Sequence, residues 1–147
     1  LSKQADQHLD FDLNLATSDS KANMFYYIQY AHARIFSLIK KYKASNTEIP
    51  TSPDSIIDGS YKQCDKLIHE ISRYPSIVKR SSTSLHPHLI IFYLKDLAHI
   101  FHSFYNDNPV LTETQDNLNS IILCLGAVKS VIANGLELLG IEPMEKM

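Results

Sequence analysis

The chain has 147 residues, nearly balanced charge (14 Lys+Arg against 16 Asp+Glu) and only four glycines. This length corresponds to one main domain, which can fold without disulfides or a structural metal. Phosphate-binding loops need clustered glycines, whereas Gly59, Gly126, Gly135 and Gly140 are scattered, which excludes a P-loop or a dinucleotide-binding turn.

The two cysteines, Cys64 and Cys124, form no CxxC pair and lie among apolar residues at helical spacing, which predicts reduced thiols in a core. No apolar run approaches the roughly 18 residues of a membrane span, and the N-terminal residues lack the charged-then-apolar layout of a signal peptide. We therefore expect a cytoplasmic protein outside the membrane. Because the sequence begins with Leu1 rather than Met, we also expect a piece of a longer protein.

The first predicted elements differ in period. Residues 9–15 alternate apolar and polar side chains, which is typical of a half-buried strand or extended segment. From Met24 the apolar residues recur every three to four positions, which predicts a helix ending near Lys43, with Asp19 or Ser20 as its N-cap. A loop is expected over residues 44–52.

The remaining segments have helical period. The apolar spacing of residues 64–71 predicts a helix that Pro75 stops. A short helix is expected after Pro75, followed by a polar connector at residues 81–84. Pro87 then helps to start a long helix. A capping-box pattern at Thr112 begins the last helix, and Gly140 stands in its C-cap position. The sequence thus predicts an all-α bundle of four to five helices with a short extended segment at its N-terminus.

One line of side chains on the first long helix flanks its apolar stripe. At 100° per residue, Tyr27, Tyr30, Arg34 and Lys41 fall close together, beside the buried face. Aromatic rings and cations in this pattern suit single-stranded RNA, whose unstacked bases stack on the rings while the cations meet phosphates. The alternative is that the tyrosines only cover the core with their hydroxyls in water. The net charge of +5 over residues 20–100 favours a polyanion.

The seven histidines suggest a metal site, above all His86 with His88 and His99 with His102. A catalytic zinc needs a third ligand and a general base, and no HExxH motif supplies them. No nucleophile elbow is present either. We expect no metal site and no catalytic residue in this chain.

Several stretches, in order, resemble arginyl-tRNA synthetases over almost the whole chain. These are residues 6–13 (DQHLDFDL), 26–34 (YYIQYAHAR), 93–98 (YLKDLA), 101–106 (FHSFYN) and 135–141 (GLELLGI), with the last methionine. The chain is similar to the C-terminal, DALR-type anticodon-binding domain of that family. The resemblance implies that residues 1–20 connect to a missing catalytic domain and that residues 21–147 form the helical domain.

The resemblance also implies a function and a set of site residues. The domain would bind the anticodon loop of arginine tRNA, and the pocket for its middle base, a cytosine, would comprise Tyr27, Tyr30, Arg34, Tyr105 and Met147. The parent enzyme would be a monomer that ligates arginine to tRNA with ATP and magnesium. This part lacks the HIGH-type and KMSK-type motifs, so it would have no cofactor and no catalysis of its own.

Two departures from the family pattern affect these expectations. The usual Asn-Pro before the tyrosine helix is Asn23-Met24 here, which predicts an earlier or less sharp helix start. In the tail Pro143 is shifted by one position and Lys146 replaces an arginine, so bidentate hydrogen bonding is lost. The alternative function is a helical protein-protein interaction module whose tyrosine face binds a partner helix.

Overall fold

The computed structural model describes residues 23–45, 64–108 and 115–147, and within these ranges the chain is helical with no strand. The helices are α1 (Met24–Ala44), α2 (Asp65–Ser72), α3 (Tyr74–Ser84), α4 (His88–Asp107) and α5 (Gln115–Leu138). The predicted all-α bundle is confirmed. The extended segment at residues 9–15, the boundary at residue 20 and the capping box at Thr112 lie outside the described residues.

Helix α1 begins sharply because Asn23 caps it. The Asn23 side-chain oxygen accepts hydrogen bonds from the backbone N–H groups of Phe25 at 3.1 Å and Tyr26 at 3.4 Å, which satisfies two of the donors that a helix start leaves free. The predicted cap at Asp19 or Ser20 is therefore wrong for this helix, and so is the expectation of an earlier or less sharp start.

The polar connector predicted at residues 81–84 is wrong, because these residues form the last turn of α3. Their hydroxyl groups donate to carbonyl oxygens one turn back: Ser82 to Lys79 at 2.9 Å and Ser84 to Arg80 at 2.7 Å. Serine and threonine can make such bonds inside a helix, so a polar run does not have to be a loop. The helix ends at Leu85, whose φ of 56° is left-handed.

The core lies around α4, which packs against each of the other four described helices. The largest fully buried side chains come from every described helix except α3 and are Ile28, Ile35, Leu67, Ile91, Leu94, Leu97, Phe101, Ile121, Ile122, Leu125, Ile132 and Leu136. Both cysteines are buried and free, as the sequence predicted. Their thiols are close to each other, and the hydrogen bond to Cys64, together with burial, raises the pKa of Cys124.

Helix α5 corrects one expectation about membranes. Its stretch Asn117–Leu138 has 22 residues and is long and apolar enough, by length and composition, to cross a membrane, although polar residues interrupt every apolar run. Its apolar face, which includes Leu125, Val128 and Ile132 at 0% exposure, packs in the core. The hydrophobicity of α5 is therefore that of a central helix in a bundle.

Helix α5 ends where the sequence predicted, at a left-handed glycine. Gly140 has a φ of +74°, its N–H donates to the Glu137 carbonyl at 2.9 Å, and the N–H of Ile141 donates to the Leu136 carbonyl at 2.9 Å. This pair of bonds is the Schellman motif, which glycine favours because it has no Cβ. The chain then turns out of α5 and continues as a tail, residues 141–147.

Candidate nucleic-acid interface

An open pocket of about 320 Å³ lies between α1, α4 and the tail. Its lining combines aromatic, aliphatic and cationic side chains: Tyr30, Ala33, Arg34, Ser37, Leu38, Lys41, Tyr105, Lys146 and Met147. The volume falls within the usual range of small-ligand pockets, about 300–1,000 Å³. The pocket therefore has room for one planar ring.

The structure brings five of the six sequence-predicted residues into this pocket. Tyr30, Arg34 and Lys41 share one side of α1, Tyr105 comes from α4, and Met147 comes from the tail. The α1 residues converge because positions separated by four and seven residues lie on one helix face.

Tyr27 is the predicted residue that does not line the pocket. Its ring packs against His102 of α4, with the ring centroids 4.8 Å apart, and burial raises the pKa of its hydroxyl. His102 in turn stacks on Tyr30, with centroids 5.5 Å apart and planes 26° from parallel. Tyr27 therefore supports the pocket from behind, through the ring of His102.

Arg34 occupies the centre of the pocket wall. Its Nη1 donates to the Tyr30 hydroxyl at 2.5 Å, and its Cζ lies 4.1 Å from the centroid of the Tyr105 ring. Although burial opposes it, the nearby hydroxyls of Tyr105 and Tyr30 raise the pKa of Arg34, so the guanidinium stays charged. The two tyrosines thus hold a charged, planar group in one orientation.

The tail reaches the pocket because two buried side chains of α1 bind its backbone. Gln29 Nε2 donates to the Glu142 carbonyl, and Gln29 Oε1 accepts from the N–H of Met144, each at 2.8 Å. His32 Nδ1 lies 2.8 Å from the Met144 carbonyl oxygen. Gln29 and His32 are only 7% and 4% exposed, so their polar groups need such partners.

Sequence reasoning missed Ser37, Gln29 and His32, and it noted Lys146 only as a departure from the family pattern, without placing it among the site residues. Ser37 could have been found, since it is three residues beyond Arg34 on the same face, and Lys146 adjoins Met147. Gln29 and His32 carried no such signal, because their partner is the backbone of a segment more than 100 residues away.

The pocket is positively charged. Arg34, Lys41 and Lys146 line it, and no acidic side chain does so among the described lining residues. A second groove, of about 350 Å³, lies on the other side of α4 and mixes Lys66 with Asp107. The first pocket is therefore better suited to an anionic ligand that also carries a planar ring.

Among the histidines that the structure describes, only His32 and His102 contact the residues of the pocket or the tail. His86 and His88 contact each other, with ring centroids 5.1 Å apart, and His99 is exposed at the second groove. Within residues 23–45, 64–108 and 115–147, no group of three or more His, Cys, Asp or Glu side chains could hold a metal ion.

The sequence model of a family described as "DALR anticodon binding domain" matches residues 28–147, most of the chain. The chain belongs to this family. It is 40% identical to an arginine--tRNA ligase of Coxiella burnetii, over 99% of the chain and 25% of that protein. It is 41% identical to an arginine--tRNA ligase of Solidesulfovibrio magneticus, over 100% of the chain and 27% of that protein.

Solved structures agree with the DALR fold. A structure from Campylobacter jejuni described as an arginyl-tRNA synthetase superposes with a TM-score of 0.84 at 30% identity, over 99% of this chain and 31% of that one. The arginyl-tRNA synthetase of Thermus thermophilus gives 0.70 at 26% identity, over 90% and 22%. The chain thus spans about a quarter of the length of the curated relatives it matches.

Proposed function

We propose that this chain is the anticodon-binding domain of an arginyl-tRNA synthetase, and that the pocket between α1, α4 and the tail accepts one unstacked base of the anticodon loop. The middle base, a cytosine, is the expected occupant from the family resemblance. The observation that carries the proposal is the convergence of Tyr30, Arg34, Lys41, Tyr105 and Met147 on one cationic pocket.

The lining provides two kinds of interaction with an RNA loop. A base can stack on the Tyr30 ring or on the guanidinium face of Arg34, and such stacking contributes about 1–3 kcal/mol per base. Lys41 and Lys146 are exposed at the rim, where their ammonium groups can meet the adjoining phosphates. Met147 can close over the base, since its flexible thioether adapts to planar surfaces.

The parent protein would supply the chemistry. Because the relatives are about four times as long, we propose that residues outside this chain activate arginine with ATP and magnesium and transfer it to the tRNA. Residues 1–20 would connect that catalytic domain to the helical domain at residues 21–147, in a monomeric cytoplasmic enzyme. The present chain would contribute recognition alone.

Titration of the chain with the anticodon stem-loop of an arginine tRNA tests the proposal. Tyr30→Ala and Tyr105→Ala should each weaken binding about 5- to 150-fold, the equivalent of about 1–3 kcal/mol. Phe92→Ala is the matched control, since Phe92 is an aromatic residue 40% exposed on α4 but outside the pocket.

Unchanged affinity for both tyrosine variants would contradict the proposal. Absence of RNA binding combined with salt-insensitive self-association would instead favour the alternative, a helical interaction module. Far-UV circular dichroism of each variant should first show that the helices are retained.

A further inference from the structure

We infer that Gln29 and His32 are positioning residues for the RNA pocket: they fix the tail on α1 so that Lys146 and Met147 complete the pocket wall. The inference rests on the proposed function of that pocket, and it assigns to α1 a second task besides presenting Tyr30 and Arg34. Two observations support the inference: the hydrogen bonds that hold the tail on α1, and the short distance along the chain from those bonds to the pocket.

Gln29 binds the tail on both sides of a proline. Its amide donates to the carbonyl of Glu142 and accepts from the N–H of Met144, each at 2.8 Å, while Pro143 between them has no N–H to offer. One side chain thus makes the reciprocal pair of bonds that a neighbouring strand would make. Both amide groups are used, so Gln29 sets the direction of the tail as well as its position.

His32 adds a third bond three residues along the same face of α1. Because the Met144 carbonyl oxygen can only accept, His32 must donate from Nδ1 across the 2.8 Å separation. Met144 is therefore fixed through its N–H by Gln29 and through its C=O by His32. The N–H and the C=O of Met144 belong to the two peptide planes on either side of its Cα, so α1 binds both planes.

Apolar burial contributes little to holding the tail end. Met144 is 48% exposed and Met147 is 46% exposed, and Glu145 and Lys146 are exposed as well. The hydrogen bonds from α1 must therefore supply the positional order that a buried side chain would otherwise give.

The distance from the anchor to the pocket is short. Met147 is three positions after Met144, and an extended chain advances about 3.3–3.6 Å per residue. Fixing Met144 therefore confines Met147 to roughly 10 Å from the anchor, the region occupied by Arg34 and Lys41 of α1. Without the anchor the same residues would sample a much larger volume, and the pocket would lose one wall for most of the time.

The test compares Gln29→Met with the unmodified 147-residue chain. Methionine fills the volume of glutamine but can neither donate to Glu142 nor accept from Met144. We expect amide hydrogen exchange at Met144 to accelerate at least tenfold in the free protein, and the Met147 methyl group to lose its nuclear Overhauser contacts with pocket residues. Affinity for the anticodon stem-loop should fall about tenfold, the equivalent of one to two net hydrogen bonds.

Three further variants separate positioning from a general structural effect. His32→Phe removes the donor to Met144 independently and should reproduce both spectroscopic changes, also if Gln29→Met fails to fold. Tyr42→Phe removes a buried bond from α1 to Asn119 and should leave the Met147 contacts intact. A chain shortened to end at Glu142 should bind RNA weakly and should show no additional loss from Gln29→Met.

Persistence of the Met147 contacts in Gln29→Met and His32→Phe would overturn the inference. So would an equal loss of RNA affinity on introducing Gln29→Met into the full and the shortened chain, because the effect would then not pass through the tail. If neither Tyr30→Ala nor Tyr105→Ala affects RNA binding, the proposed function fails, and the amide exchange at Met144 and the contacts of the Met147 methyl group still decide whether α1 positions the tail.

Discussion

Replacing Arg34 by lysine separates the shape of the pocket cation from its charge. In the structure the guanidinium is held by the Tyr30 hydroxyl at 2.5 Å and by the face of Tyr105, 4.1 Å from its Cζ. Lysine keeps the positive charge but has no plane to stack and only a point contact for the hydroxyl. The Arg34→Lys variant therefore has the same net charge and a less ordered pocket.

The expected loss follows from the ordering that the two tyrosines provide. Ordering a long side chain on binding costs about 0.5–1.5 kcal/mol, and Arg34 is spared much of this cost because Tyr30 and Tyr105 already hold it. Lysine also lacks a guanidinium plane that can stack on a base, which should weaken RNA binding further, by about 0.5–1 kcal/mol at a partly exposed site. We expect affinity for the anticodon stem-loop to fall by about 1–2 kcal/mol, or about 5- to 30-fold.

Fluorescence anisotropy of a labelled stem-loop, repeated over a series of KCl concentrations, measures both the affinity and its salt dependence. Arg34→Lys should bind more weakly with an unchanged slope of log K against log salt, because the number of cations is the same. Lys41→Gln is the matched comparison: Lys41 lines the same pocket, and removing its charge should make the slope shallower by about 0.7, the value for one contact with a single-stranded phosphate.

Equal affinity of Arg34→Lys and the unmodified chain would refute the reasoning, because the planar group would then contribute nothing that a point charge does not. A shallower slope for Arg34→Lys would also refute it, since the charge would then have left the site. Unfolding curves of both variants establish that the comparison is made between folded proteins.

Stability and reactivity give further predictions. Gly135→Ala should lower the free energy of unfolding by about 1–3 kcal/mol, because the Cβ of the new alanine would lie 2.8 Å from a methyl group of the fully buried Leu94. Gly126→Ala should raise the free energy of unfolding by about 0.5–1 kcal/mol, because nothing lies within 4 Å of its new Cβ. Urea midpoints equal to that of the unmodified chain would contradict both predictions. Leu85→Gly should raise the free energy of unfolding in urea by about 1 kcal/mol. Leu85 has a left-handed backbone conformation, which glycine adopts without strain, and its side chain is 84% exposed, so little packing is lost. Neither buried cysteine should react with DTNB in the folded chain, and both should react in denaturant.

The fold was predictable because most of its information is periodic. The apolar spacing of α1, α4 and α5 requires one buried face on each, and three such helices can bury those faces only against one another. Helix ends were less predictable. Asparagine and serine, the residue types of Asn23 and Ser82, favour caps and turns but also occur inside helices, and the choice depends on which backbone groups the rest of the fold leaves free.

The residues of the candidate site that lie on one helix were predictable from the sequence, and the contacts between different helices were not. The helix alone brings Tyr30, Arg34 and Lys41 together, so angular arithmetic was sufficient for them. The same arithmetic misplaced Tyr27, whose position beside the stripe is covered by His102 of α4. That contact depends on how two helices pack, and the sequence of one helix does not contain it.

The pocket shows why the net charge of a whole chain is a poor guide to the charge of a local site. The whole chain has a net charge of -2, yet the described pocket lining holds three cationic side chains and no acidic side chain. Lys146 comes from an acidic C-terminal region, and it reaches the pocket only because the Schellman turn at Gly140 directs the tail toward α1 and Gln29 fixes it there. The contribution of Lys146 to the charge of the site therefore depends on the direction of the backbone after Gly140 and on the hydrogen bonds from α1 to the tail, and a change in either would alter the local charge without altering the composition.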